Sequence, residues 1–167
     1  MKLINRFFGY MYGILRSSYY KTRYDYFREF YKINTSFGFN GTDIRIYGDG
    51  EIKIGDNSYI GSLSTIQLTK GYCVTIGNYC SISHNVRIYT NSSLPDQDFR
   101  NNDIKETKSG NVSIGNGVWI GANVFINPGI TINDNSVIGA NSVVTKDVPN
   151  NAIFGGVPAK LIRFKND

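Results

Sequence analysis

Histidine is nearly missing from this chain of 167 residues, in which His84 stands alone. That count excludes every site built on two or more histidines, including HExxH metalloproteases and histidine-clustered zinc. Cysteine is almost as scarce. Cys73 and Cys80 are too few for a disulfide scaffold or a four-cysteine metal site, and no metal site is expected. No apolar run reaches the ~18–20 residues needed to span a bilayer. The run Phe7–Leu15 is short, Arg16 follows it, and no small-residue cleavage pattern marks a signal peptide. Acid–base chemistry here rests on one imidazole, on carboxylates, or is absent.

What the chain does hold is unevenly placed. Residues 1–35 contain seven Lys/Arg against two acidic residues, which accounts for the whole net charge of +5. The same segment holds 11 of the 23 aromatics. Leu3-Ile4, Phe7-Phe8, Met11 and Ile14-Leu15 recur at helical spacing. The pair Ser17-Ser18 is expected to interrupt that pattern before a second aromatic and cationic stretch, Tyr19–Tyr31. Two readings stand side by side for residues 1–35. One is a helical cap on the end of the body; the other is an amphipathic helix in peripheral contact with an anionic membrane surface. Basic-plus-aromatic composition also suits nucleic acid, but no recognition motif accompanies it, and no nucleic-acid partner is expected.

The body repeats every six residues. Ile114, Ile120, Ile126, Ile132, Ile138 and Val144 keep one unbroken frame, and Val118, Val124, Ile130, Ser136, Ser142 and Val148 fill a small slot four residues on. The frame appears upstream at Ile54, Ile60 and Ile66 and restarts at Ile76, Ile82 and Ile88, with Cys80 and Val86 in the small slot. A period of six is neither helical nor a plain alternating strand; it fits a flat-sided coil of short strands joined by corners. Glycine after the aliphatic, as at Gly55, Gly61, Gly77, Gly115, Gly121 and Gly139, is read as freeing the corner backbone. Asn57, Asn78, Asn116, Asn123 and Asn141 are read as left-handed corner residues. Cys80, in an inward slot, is expected to be a buried thiol packing as a hydrophobe. Two free thiols suit a reducing compartment, so a cytoplasmic protein is expected, at the inner face of the membrane if residues 1–35 touch lipid.

Two interruptions break the frame. Ile66 and Ile76 lie ten residues apart, and Ile88 and Ile114 lie 26 apart. Long loops on a rigid scaffold are where binding and chemistry concentrate. The expected organisation is an N-terminal segment 1–45, a coil 46–164 with an inserted loop 89–111, and a tail 165–167.

The run Val118-Trp119-Ile120-Gly121-Ala122-Asn123 and the ending Gly155-Gly156-Val157-Pro158-Ala159-Lys160 resemble the left-handed β-helix (hexapeptide-repeat) acyltransferases. Within them the chain is similar to the maltose/galactoside and polysaccharide O-acetyltransferase branch. The resemblance implies an all-β, left-handed parallel β-helix, a homotrimer, and acetyl-CoA as acyl donor in the groove between neighbouring coils. It implies direct transfer to a hydroxyl of a sugar or other saccharide acceptor in a cell-surface polysaccharide or its precursor. An amino-sugar N-acetyltransferase and a catalytically degenerate CoA-binding trimer are the alternatives.

Family members carry a catalytic histidine at the start of the inserted loop, where this chain has Ser93. His84, nine residues earlier, is then the candidate general base, with Asp96 and Asp98 as candidates to hold its other ring nitrogen. An imidazole is suited to take a hydroxyl proton near neutral pH. The resemblance places Trp119 near the acetyl group and Ala122 and Ala140 at the pantetheine arm. It places Thr145 and Lys146 near the cofactor, and Pro158, Lys160 and Arg163 at its adenine and 3′-phosphate end.

Overall fold

The computed structural model describes residues 2–100 and 105–166. The chain forms two compact units, Met1–Ile33 and Asn34–Asp167. The first holds α1, a single helix over Lys2–Tyr31. The expected break at Ser17-Ser18 does not occur. Serine is only mildly unfavourable inside a helix, and an i,i+4 contact from Arg16 to Tyr20 bridges the pair. The Arg16 guanidinium lies 5.8 Å from the centre of the Tyr20 ring, and Arg23 donates to the Tyr19 hydroxyl at 3.1 Å. Tyr24 and Phe27 are the buried residues of α1, while Leu3, Ile4, Phe7, Phe8, Ile14 and Leu15 are exposed. No helix among the described residues is long and apolar enough to cross a membrane.

The second unit is a parallel β-solenoid of about five turns. The first face is built from β1 (Gly38–Asn40), β4 (Tyr59–Gly61), β7 (Ser81–Ile82), β12 (Trp119–Ile120), β15 (Val137–Ile138), β17 (Ala152–Gly155) and β18 (Lys160–Phe164). The second holds β2 (Arg45–Gly48), β5 (Thr65–Leu68), β8 (Arg87–Tyr89), β13 (Phe125–Ile126) and β16 (Val143–Val144). The third holds β3 (Glu51–Ile54), β6 (Cys73–Ile76), β11 (Val112–Ile114) and β14 (Thr131–Ile132). A separate hairpin pairs β9 (Asn91–Ser93) with β10 (Thr107–Ser109). All solenoid pairs are parallel except β17 with β18, which run antiparallel. Paired strands begin at Gly38, where Phe37 and Ile44 are already buried.

The hexad frame becomes the core. Ile60, Ile82, Ile120 and Ile138 stack inward on the first face, Ile66, Ile88, Ile126 and Val144 on the second, and Ile76, Ile114 and Ile132 on the third. Each is essentially inaccessible to solvent. Burial of one such side chain favours the fold by about 1.5–3 kcal/mol. Cys80 is fully buried among them with its thiol 2.9 Å from the Gly115 carbonyl, and burial pushes its pKa up, which is the state of an inert packing thiol.

The corners depart from the sequence reading in two ways. Asn57, Asn123 and Asn141 take left-handed backbone angles as expected, but at the other two turns Tyr79 and Gly117 do so in place of Asn78 and Asn116. Those two asparagines use their side chains instead. The Asn78 carbonyl oxygen accepts from the Asp56 N–H at 2.6 Å, and that of Asn116 accepts from the Asn78 N–H at 2.9 Å. Gly61 and Gly121 are not left-handed either. They are required by close approach: a Cβ on Gly121 would fall 2.6 Å from the Ala140 nitrogen.

Candidate active site

The corner between the first and second faces gathers His84, Ala122 and Ala140 from among the residues singled out in the sequence. At successive turns it is formed by Thr42-Asp43, Ser62-Leu63, His84-Asn85, Ala122-Asn123 and Ala140-Asn141, the second member always left-handed. Backbone bonds tie each turn to the last. Leu63 N–H donates to Thr42 O at 2.9 Å, Asn85 to Ser62 O at 2.8 Å, Asn123 to His84 O at 3.0 Å, and Asn141 to Ala122 O at 2.8 Å. Side chains form a second ladder, with Asn85 Nδ2 donating to Asn123 Oδ1 at 2.9 Å and Asn123 Nδ2 to Asn141 Oδ1 at 3.0 Å. The single imidazole therefore stands in one column with Ala122 and Ala140. Trp119 lies on the adjoining strand β12, beside Ser81 of β7, and is 57% exposed.

His84 is exposed, and its Nδ1 accepts a hydrogen bond from the Ser62 backbone N–H at 3.0 Å. Gly61 makes room for the ring, since a Cβ there would stand 2.7 Å from Nδ1. This bond has a chemical consequence. A nitrogen that accepts from an N–H carries no proton, so the neutral ring holds its proton at Nε2 and offers a donor at its free edge. Taking a proton at Nε2 requires Nδ1 to give up the Ser62 bond.

The carboxylates do not complete the pair inside one chain. The inserted segment leaves beyond the opposite end of β8 from His84, and its hairpin is rooted by Thr90 and Gln97. The Thr90 hydroxyl donates to Gln67 O at 3.1 Å, and Gln97 Nε2 donates to Leu94 O and Glu106 O at 2.6 and 2.8 Å. Asp98 pairs with Arg100 at 2.9 Å, and that guanidinium holds its carboxyl below the usual range. Asp96 and Ser93 are exposed. Among the described residues neither Asp96 nor Asp98 bonds to His84, whose Nδ1 is taken by Ser62.

The remaining cofactor candidates continue along the coil. Ala122 and Thr145 are half-buried; Ala140, Lys146, Pro158, Lys160 and Arg163 are exposed. Lys160 and Arg163 lie on β18, beyond the last coil. Among the described residues no group of His, Cys, Asp and Glu is arranged to hold a metal ion. Two features escaped the sequence reading: the Ser62 N–H that fixes the imidazole, and a row of arginines and tyrosines on the second face. The latter had a signal, because each of these residues immediately precedes or follows an inward isoleucine.

A three-faced parallel coil, with small residues and one imidazole along a single corner, defines a hexapeptide-repeat transferase scaffold. Residues 111–146 match the bacterial transferase hexapeptide family (six repeats), and residues 51–90 match the hexapeptide repeat of succinyl-transferase. The chain is 46% identical over 121 residues to a galactoside O-acetyltransferase of Escherichia coli (strain K12), covering 72% of this chain and 57% of that one. A hexapeptide-repeat acetyltransferase of Vibrio cholerae O1 biovar eltor, solved in complex with acetyl-coenzyme A, superposes with a TM-score of 0.67 at 33% identity, covering 88% of this chain and 78% of that one. A maltose O-acetyltransferase from Clostridium difficile 630 gives a TM-score of 0.60 at 34% identity over 89% of this chain and 77% of that one. The chain belongs to the left-handed β-helix, hexapeptide-repeat acyltransferase family, in the branch of the galactoside and maltose O-acetyltransferases. It spans 57% of the length of the curated Escherichia coli relative.

Proposed function

We propose that the protein transfers an acetyl group from acetyl-CoA directly to a hydroxyl of a saccharide, in a cell-surface polysaccharide or its precursor. One observation carries this reading: His84 shares a corner column with Ala122 and Ala140, whose small side chains leave the groove open for a thin pantetheine arm. His84 takes the hydroxyl proton as the oxygen attacks the thioester carbon, and the thiolate of CoA leaves. The tetrahedral intermediate needs a hydrogen-bond donor at its oxyanion, a contribution of roughly 2.7–4 kcal/mol. Cys80 is sealed in the core and so does not serve as an acyl carrier, and half-buried Cys73 sits in no recognisable acyl-enzyme motif. The proposed assembly is a homotrimer, in which a neighbouring copy's loop supplies Asp96 and Asp98.

Release of free CoA thiol from acetyl-CoA, followed across a panel of sugars, is the test. Acceptor-dependent thiol release is the expected result; acetyl-CoA binding with no turnover on any acceptor replaces this reading with that of a degenerate CoA-binding protein. The latter is favoured by Ser93 at the loop position and by the engaged Nδ1 of His84.

Lys160 and Arg163 are proposed to meet the cofactor's phosphates, where cations and charge-assisted hydrogen bonds are suited to the ligand. Among the described residues Arg163 donates only to the neighbouring Phe164 carbonyl at 3.0 Å, so its guanidinium has donors to spare. Arg163→Ala is expected to weaken acetyl-CoA binding about tenfold by calorimetry, the worth of one such bond. The pH dependence of turnover should not move. Unchanged affinity removes Arg163 from the cofactor site.

A further inference from the structure

The second face carries a groove that the acetyl-transfer reading leaves unused. Its volume is about 630 Å³, and its floor is Arg45, Thr65 and Arg87 in one row with Tyr47 and Tyr89 in the next. Strand register makes this arrangement rigid. Arg45, Thr65 and Arg87 are neighbours across β2, β5 and β8, as are Tyr47, Gln67 and Tyr89. All point outward because Ile46, Ile66 and Ile88 between them point in. With strands about 4.8 Å apart, the two arginines stand roughly 9–10 Å apart at the backbone, and the Thr65 hydroxyl lies between them.

Asp43 also lines the groove, so its two arginines against one carboxylate leave the lining with an excess of one positive charge. Among the described residues neither Arg45 nor Arg87 forms an ion pair, although the unit outside residues 1–35 carries equal numbers of basic and acidic residues. Burial and the neighbouring Tyr89 phenol push the Tyr47 phenol up, so the two tyrosines stand close together on the outer surface of this face. Tyr89 also packs edge-on against Phe125 at 5.0 Å. Two guanidiniums in one row with a hydroxyl between them suit a phosphate or diphosphate, and flanking tyrosines suit a flat apolar sugar face.

The groove also has a position. Asn85, adjacent to His84, lines one end, and Tyr89 lines the other, two residues before the hairpin begins. It lies on β2, β5 and β8, the early coils, whereas Lys160 and Arg163 lie on the last strand. We propose that this groove binds the phosphate or diphosphate of a phosphate-linked saccharide acceptor, separately from the phosphates of CoA. The proposal rests on the acetyl-transfer reading for the word acceptor but not for the anion site itself. The acceptor class is then a sugar carried on a phosphate ester, nucleotide- or lipid-linked, in preference to a free neutral sugar.

Inorganic pyrophosphate is the probe, with the full-length protein titrated by calorimetry in the absence and presence of saturating CoA. The double variant Arg45→Gln/Arg87→Gln is expected to lose pyrophosphate affinity by on the order of tenfold or more, and wild-type binding is expected to weaken as salt is raised. Binding should persist with CoA present, and the variant's affinity for acetyl-CoA should equal that of wild type. Equal pyrophosphate affinity in variant and wild type, or no binding by wild type, overturns the proposal. Displacement of pyrophosphate by CoA, together with weaker acetyl-CoA binding by the variant, overturns it differently, by assigning the arginines to the cofactor. A uridine-diphosphate sugar and a short-chain polyprenyl-phosphate sugar, compared as competitors of pyrophosphate, identify the source of the phosphate. All of these readouts are binding constants, so failure of acetyl transfer leaves them interpretable.

Discussion

Replacing His84 with alanine is expected to lower kcat by about 100-fold or more, whichever way the ring takes part. As a general base it contributes about 10²–10⁴, and as a donor to the oxyanion about 10²–10³. Asparagine separates the two. Its Oδ1 can accept the Ser62 N–H that His84 Nδ1 now accepts at 3.0 Å, and its Nδ2 then presents donors at the place of the ring's Cδ2, one bond short of where Nε2–H stood. Under the proposed base role, His84→Asn is as poor as His84→Ala, because a side-chain amide cannot take the hydroxyl proton. Asparagine with most of the wild-type kcat shows a donor instead. Wild-type kcat in both variants removes His84 from the chemistry and leaves Asp96 and Asp98 as candidates.

The largest expected effect on stability is at Ile120. Its side chain is fully buried, and its strand is flanked in register by Ile82 on one side and Ile138 on the other. Truncation to alanine opens a void that the two flanking coils cannot close, because their spacing is held by backbone hydrogen bonds on all three faces. Ile120→Ala is expected to cost about 2–5 kcal/mol, read by urea unfolding at fixed protein concentration. That is a large share of the ~5–15 kcal/mol of a typical fold. Lys53→Ala is the control. Its pairing with Glu51 is a 3.8 Å contact between two exposed side chains, and its loss should stay within about 0.5 kcal/mol. A cost at Ile120 no larger than at Lys53 contradicts the stacked core.

The six-residue period made the coil legible because inward packing demands an aliphatic at a fixed interval. Ile114 through Val144 announce their own burial. The first coil was harder to see, since Phe37, Ile44 and Ile46 fill their inward positions without the hexad spacing. The helix break at Ser17-Ser18 failed for a different reason: contacts such as that of Arg16 with Tyr20 span the serines and are invisible to a residue-by-residue propensity. At the candidate site, sequence could point to His84 by elimination. It could not supply the Ser62 N–H, because that donor is a backbone group 22 residues away, brought near by one turn of the coil. The groove of Arg45 and Arg87 lay between these cases, legible once the outward neighbours of Ile46, Ile66 and Ile88 are aligned.

β18 reverses direction against β17 at the end of the first face. A parallel coil is in principle open-ended: each turn offers the next an unpaired row of backbone donors and acceptors, and a second molecule can continue the stack as easily as the same chain. On this face the edge is β18, an antiparallel strand whose exposed side chains include the cations Lys160 and Arg163, and charge on an edge strand disfavours pairing with another chain. In the proposed site the same two edge cations are the ones that hold the cofactor, so their charge serves the sheet edge and the ligand together.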